Sequence, residues 1–81
     1  MKIKYFAWIK EITNKELEEI DSFEINNLDK LKKFVVSKYP DLKKHLDQEI
    51  LRFAVNQEYV VDNIDLKKED EIAVFPPVSG G

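Results

Sequence analysis

Residues 75–81 read FPPVSGG, and Gly80 and Gly81 are the only glycines among the 81 residues. This end offers one reactive group, the α-carboxyl of Gly81. A carboxyl with a pKa of about 3.3 to 3.7 is ionised at neutral pH and is a poor acyl electrophile. It must be activated, for instance by adenylation, before anything can be attached to it. A glycyl acyl group is then the least hindered one available. Gly80 and Gly81 carry no side chains, so their backbone can pass through a narrow channel in another protein. Val78 and Ser79 before them are small. Pro76 and Pro77 lack N–H groups and fix φ, which stops a sheet ladder and favours an extended, polyproline-like segment. Fully extended, residues 76–81 span roughly 20 Å. The same composition also describes an unordered chain end, and the tail residues alone leave both readings open.

Other chemistry is scarce. There is no cysteine, which removes disulfides, thiolate metal sites and thiol nucleophiles together. The single histidine, His45, stands beside Lys43 and Lys44 and reads as a surface residue rather than a catalyst or ligand. Lys30, Lys32, Lys33, Lys38, Lys43 and Lys44 are interrupted by acidic residues and read as a solvated helix face. A net charge of −3 argues against nucleic acid as the partner. No apolar run approaches the roughly 20 residues of a membrane span, and MKIKYFAWIKE lacks a signal-peptide pattern. A cytoplasmic location, with no bound metal or cofactor, is the expectation.

What positions the tail must be a small domain. At 43% apolar and 36% charged residues, the chain suits one compact unit with a modest core. Residues 2–8, KIKYFAW, alternate as a strand, with Ile3, Tyr5 and Ala7 on one face and Lys2, Lys4, Phe6 and Trp8 on the other. A short helical or irregular piece, IKEIT, follows, and residues 17–25 read as a less regular edge strand. Asn27 is an N-cap with Asp29 in the first turn. Leu28, Leu31, Phe34, Val35 and Tyr39 then form one helical stripe, which Tyr39-Pro40 ends. Residues 41–48 are a polar connection with room for one turn of helix. ILRFAVN, residues 50–56, is a strand with Arg52 and Ala54 outward; Asn56-Gln57-Glu58 turns into the short strand Tyr59-Val60-Val61. EIAVF, residues 71–75, is the last strand, with Ile72 and Val74 on one face and Ala73 and Phe75 on the other.

The predicted fold class is α+β, one helix on one face of a mixed sheet, in the β-grasp or ubiquitin-like topology that sets the first and last strands side by side. Residues 1–75 form the domain and residues 76–81 the reactive tail, which then leaves from the rigid centre of the sheet. Phe6, Trp8 and Phe75 fall on the face that the helix leaves bare, and an apolar patch on such a face is a partner site.

EDEIAVFPPVSGG resembles the C-terminus of the small subunit of molybdopterin synthase, and IKYFAWIKEI and FAVNQEYV are similar to that family's first strand with its helical turn and to its third and fourth strands. The Pro-Pro before Val-Ser-Gly-Gly sets it apart from the thiamine sulfur carriers. The resemblance implies that an activating enzyme adenylates Gly81 with ATP and that a sulfur donor converts it to a thiocarboxylate. The tail would then enter the large synthase subunit to deliver sulfur to precursor Z. Phe6, Tyr59 and Phe75 match the family's apolar contact positions. Glu69, in KKEDEI, stands where the family usually has glycine; a turn needing φ > 0 there would cost about 1 kcal/mol. Two other readings stay open: a carrier for thiamine or tRNA thiolation, and a modifier joined to target proteins through Gly81.

Overall fold

In a computed structural model, residues 1–21 and 24–77 are described. They form β1 (Lys2–Tyr5), α1 (Trp8–Thr13), β2 (Leu17–Glu19), α2 (Leu28–Lys38), a 3-10 turn (Pro40–Leu42), α3 (Lys43–Asp47), β3 (Arg52–Val55), β4 (Glu58–Val60) and β5 (Glu71–Phe75). The sheet order is β2-β1-β5-β3-β4. β1 and β5 run parallel, with Ile3 opposite Ile72 and Tyr5 opposite Val74; the other pairs are antiparallel. This is the β-grasp expected, with the tail-bearing strand in the centre.

The helical stripe was legible because its caps are local. The Asn27 side chain accepts from Lys30 N–H at 2.9 Å. The segment before β5 closes the rest of that helix end: Asn63 Oδ1 accepts from Asp29 N–H, and the Ile64 carbonyl accepts from Leu28 N–H, each at 2.9 Å. Proline after Tyr39 stops the helix at Lys38, and the chain tightens into the 3-10 turn. Leu28, Leu31 and Val35 from α2 meet Ile3, Ile72 and Val74 from the sheet in a fully buried core, with Ile9 and Leu42 closing the end near α1. Each such side chain contributes about 1.5 to 3 kcal/mol through burial.

Two strand expectations are corrected. Residues 17–25 are not one strand, because β2 stops at Glu19. Ile20 N–H makes one further bond, to the Met1 carbonyl at 2.9 Å; Asp21 is a poor strand former, and Ile25 turns inward to the core. Ser22 and Phe23 lie outside the described residues. β1 likewise stops at Tyr5, so residues 2–8 do not alternate to their end. Phe6 N–H still reaches the Val74 carbonyl, but Ile9 N–H closes a turn onto the Phe6 carbonyl at 3.2 Å. Ala7, at φ 55 and ψ −137, is the pivot of that turn. It is exposed instead of joining Ile3 and Tyr5 inside.

The hairpin between β3 and β4 uses Asn56 and Gln57, both at positive φ (52 and 71), as a two-residue turn of the kind matching strand twist. Asn56 also accepts from Glu71 N–H at 3.0 Å and donates to Asp70 at 2.9 Å, tying the hairpin to the start of β5. Glu69 has no positive φ. Asp70 N–H bonds to the Lys67 carbonyl at 3.1 Å while its carboxylate accepts from Lys67 N–H at 2.7 Å. This turn has no need of glycine.

One polar cluster was not anticipated. Glu18, on β2, is only 5% exposed. The buried Tyr5 hydroxyl donates to it at 2.9 Å, the Tyr39 hydroxyl lies 3.1 and 3.2 Å from its two oxygens, and Lys15 and Lys38 both reach Oε2. It joins β1, β2 and the end of α2 at one carboxylate.

Candidate functional site: the outer sheet face and the root of the tail

Since Ile3, Tyr5, Ile72, Val74, Phe53 and Val55 point into the core, the residues between them face outward. Phe6 (46% exposed), Tyr59 (55% exposed), Ala73 and Phe75 gather at the end of the face from which Pro76 departs. The Tyr59 and Phe75 rings meet edge-on, 6.2 Å between centroids and 66° between planes. Ala54 lies between Ala73 and Tyr59 in register and is covered. Leu17 (46% exposed) extends the apolar strip onto β2, opposite Lys4. Sequence reading missed it because it treated residues 17–25 as an irregular strand without fixing its faces. The other end of the face is charged: Lys4 pairs with Glu71 at 3.1 Å and Lys2 with Glu19 at 4.0 Å. Such exposed pairs add little stability, but they confine the apolar area to the tail end.

Trp8 is the predicted contact residue that the structure moves. The turn at Ala7 carries it off the strand and into α1, where it packs against the core, partly buried. Its ring lies against His45, 4.7 Å between centroids. His45 is therefore half-buried rather than a surface residue, with Nδ1 buried and unpaired among the described residues. The lysines behave as a solvated face, except that Lys32 is half-buried, its Nζ 5.4 Å from the Phe53 ring centroid, and Lys38 serves Glu18.

Pro76 is partly exposed and Pro77 exposed, continuing β5 out of the sheet. Val78, Ser79, Gly80 and Gly81 lie outside the described residues. Among the described residues no group of His, Asp or Glu side chains is placed to hold a metal ion, and no helix is long and apolar enough to cross a membrane. The outer face, among the described residues, offers apolar surface and charges, but no nucleophile held against a base. The root of the tail, Pro76, lies at the edge of that face.

A β-grasp domain with an apolar outer face at the root of a Pro-Pro, Gly-Gly tail defines a ubiquitin-like carrier. The ThiS family matches residues 3–81, and the chain belongs to that family. It is 42% identical to the molybdopterin synthase sulfur carrier subunit of Dictyostelium discoideum, over 99% of this chain and 94% of that one. With the human protein of the same name it is 38% identical, over 100% and 93%. Among solved structures, a chain of the complex between subunits 1 and 2 of molybdopterin-converting factor from Helicobacter pylori superposes with a TM-score of 0.69 at 28% identity, covering 99% of this chain and 96% of that one.

Proposed function

We propose that this chain is the small, sulfur-carrying subunit of a molybdopterin synthase. The observation that carries the reading is the placement of Phe6, Tyr59 and Phe75 on one bare face, at the root of FPPVSGG. Relatives bearing the sulfur-carrier name support it across the chain's length. The partner is the large synthase subunit, which binds the apolar end of the face and receives the tail. A cytoplasmic setting suits such a carrier.

The steps follow from the chemistry of a carboxylate. An adenylating enzyme joins the Gly81 carboxylate to the α-phosphorus of ATP, releasing pyrophosphate. Sulfide-level sulfur from a donor protein attacks the acyl carbon, displaces AMP and leaves a thiocarboxylate. In the large subunit that sulfur attacks precursor Z, and water returns Gly81 to the carboxylate. Two carriers act in turn to complete one dithiolene. The large subunit supplies the general acid and base groups, and the carrier binds no metal or cofactor of its own.

The test is to move the terminus. One residue appended after Gly81 turns the carboxyl into an amide; deleting Gly81 withdraws it by about 3.5 Å. Both variants should melt like the parent and fail to support thiocarboxylation and conversion of precursor Z by the reconstituted synthase. An extended variant, verified unprocessed by intact mass, that still delivers sulfur at the parent rate refutes the mechanism. Ladders of higher-mass conjugates in cells, without a thiocarboxylate mass, would instead identify a protein modifier.

A further inference from the structure

Arg52 is the cation that the apolar end of the outer face leaves unmatched. In register it stands opposite Phe75 on the neighbouring strand, and with Phe53 buried between it and Ala54, its side chain shares the outer face. Its guanidinium donates through Nη1 to the Glu49 carbonyl, within a turn where Glu49 has φ 58. No carboxylate of the described residues lies within ion-pair distance. On the same face Lys2 and Lys4 are matched by Glu19 and Glu71, while on the inward side Lys15 and Lys38 share Glu18. A guanidinium has five N–H donors in a planar fork suited to a carboxylate. Arg52 and Tyr59 also border a groove of about 240 Å³ at the sheet's β4 edge, lined on the helix side by Lys32 and Leu46, so the stem of Arg52 is open to solvent beside the face.

We propose that Arg52 is a specificity determinant of the docking face, and that it pairs with an Asp or Glu carboxylate on the protein that receives the tail. The inference rests on the docking reading above and adds the chemistry of the recognised surface: an apolar recess for Phe75 and Tyr59 with a carboxylate at its edge. Charge complementarity selects that occupant over a second copy of this chain. A two-fold pairing of this end would set Arg52 near its own copy, and both acids of the face are already engaged by lysines at its other end. Arginine suits the position better than lysine because its fork fixes orientation as well as charge, and orientation is what a tail leaving from the adjacent strand requires.

The experiment measures binding of the full chain to its cognate large subunit by calorimetry, from 50 to 500 mM salt. Each variant is first checked for folding by thermal melting. Arg52→Ala should weaken binding roughly 30-fold, and Arg52→Glu more. Arg52→Lys, which keeps the stem and charge and carries the test if the alanine variant unfolds, should recover only part of the affinity. Reversing one Asp or Glu of the large subunit should restore binding to Arg52→Glu. Phe6→Ser is the control for the face itself. If Phe6→Ser weakens binding while the Arg52 variants bind like the parent at every salt concentration, the pairing is wrong and the docking face stands. If neither change weakens binding, the docking reading falls as well. A parent chain that dimerises through this face, with Arg52→Glu abolishing the dimer, overturns the choice of partner.

Discussion

Replacing Glu18 with alanine should unfold the domain more readily than any other polar substitution in its described part. Glu18 accepts from a Tyr5 hydroxyl that belongs to a side chain only 1% exposed. Without that acceptor the hydroxyl is stranded in the core, which costs about 1 to 3 kcal/mol. Lys15 and Lys38 have side chains 48% and 42% exposed; released, they regain water, and their two ion pairs together forfeit about 1 kcal/mol. The loss is then about 2 to 4 kcal/mol, against a total stability of roughly 4 to 12 kcal/mol for a chain of this size. An unfolding entropy of about 2.1 cal/mol/K per residue gives about 0.17 kcal/mol/K here, so the melting temperature should fall by about 12 to 24 °C. Glu18→Gln keeps an acceptor for Tyr5 but not the charge, and should lose about half as much. The assay is calorimetric melting of both variants, with Tyr5→Phe and the double variant closing a cycle. If Glu18→Ala melts within about 3 °C of the parent, or if Tyr5→Phe and Glu18→Ala add without coupling, the cluster is not the lock described.

Three further outcomes follow from the same structure. Burial pushes the Glu18 pKa up, but hydrogen bonds from Lys38, Tyr5, Lys15 and Tyr39 outweigh it and leave the pKa lowered; burial, with Glu18 alongside, raises that of Tyr5. The first contribution is therefore full above the ordinary carboxylate value of about 4.3 and lost as pH falls through the lowered value, while the second is full below about 10 and lost as pH rises; urea midpoints across pH should fall on both sides, and Glu18→Gln should flatten the acid limb. Ala7→Gly relieves a non-glycine residue at φ 55 and ψ −137 and should raise stability by about 1 kcal/mol, after the greater freedom of glycine in the unfolded chain is deducted; a lower melting temperature would contradict the strain. Phe75→Arg should leave a folded domain, since Ile72 and Val74 hold the core side of β5, while weakening large-subunit binding by about 2 kcal/mol or more; a variant that does not fold would place Phe75 in the core instead.

The parts of the fold legible in sequence were those fixed by local chemistry. Asn27 caps a helix with its own side chain, Pro40 ends one, and alternation in EIAVF assigns the faces of β5 from five residues. The missing parts depend on contacts distant in the chain. Nothing local marks Ala7 as the residue that turns the chain at positive φ, since glycine is the usual signal there and this sequence keeps its glycines for the tail. Trp8 was therefore extrapolated along a strand that had already ended. Glu18 was illegible for a related reason: a carboxylate at an inward position is tolerable only because Tyr5 from β1 and Lys38 and Tyr39 from the end of α2, two other stretches of the chain, converge on it. At the candidate site, Phe6, Phe75 and Tyr59 were readable from alternation and resemblance. Leu17 and the unmatched state of Arg52 needed the sheet order, which sets β2 beside β1 and Arg52 opposite Phe75.

The position of the tail on β5 carries a mechanical consequence. If residues 76–81 run extended in a partner, they would make a lever of roughly 20 Å, and a tilt of about 3° at its root would move the tip by about 1 Å. A misplacement of that size costs on the order of 100-fold when reacting atoms must meet. An edge strand such as β2, three residues long and paired on one side, would be a poor base for such a lever. β5 is paired along its length on both sides, by β1 and β3. It also bears Phe75, the last residue before the prolines. Contacts to the neighbours of Phe75 across the register, Arg52 among them, would therefore fix the direction of the root itself, and the two prolines limit how far the chain can bend in the next two residues. On the proposed docking, binding and aiming would be one event: a partner that holds Phe75 would also set the line along which Gly81 arrives.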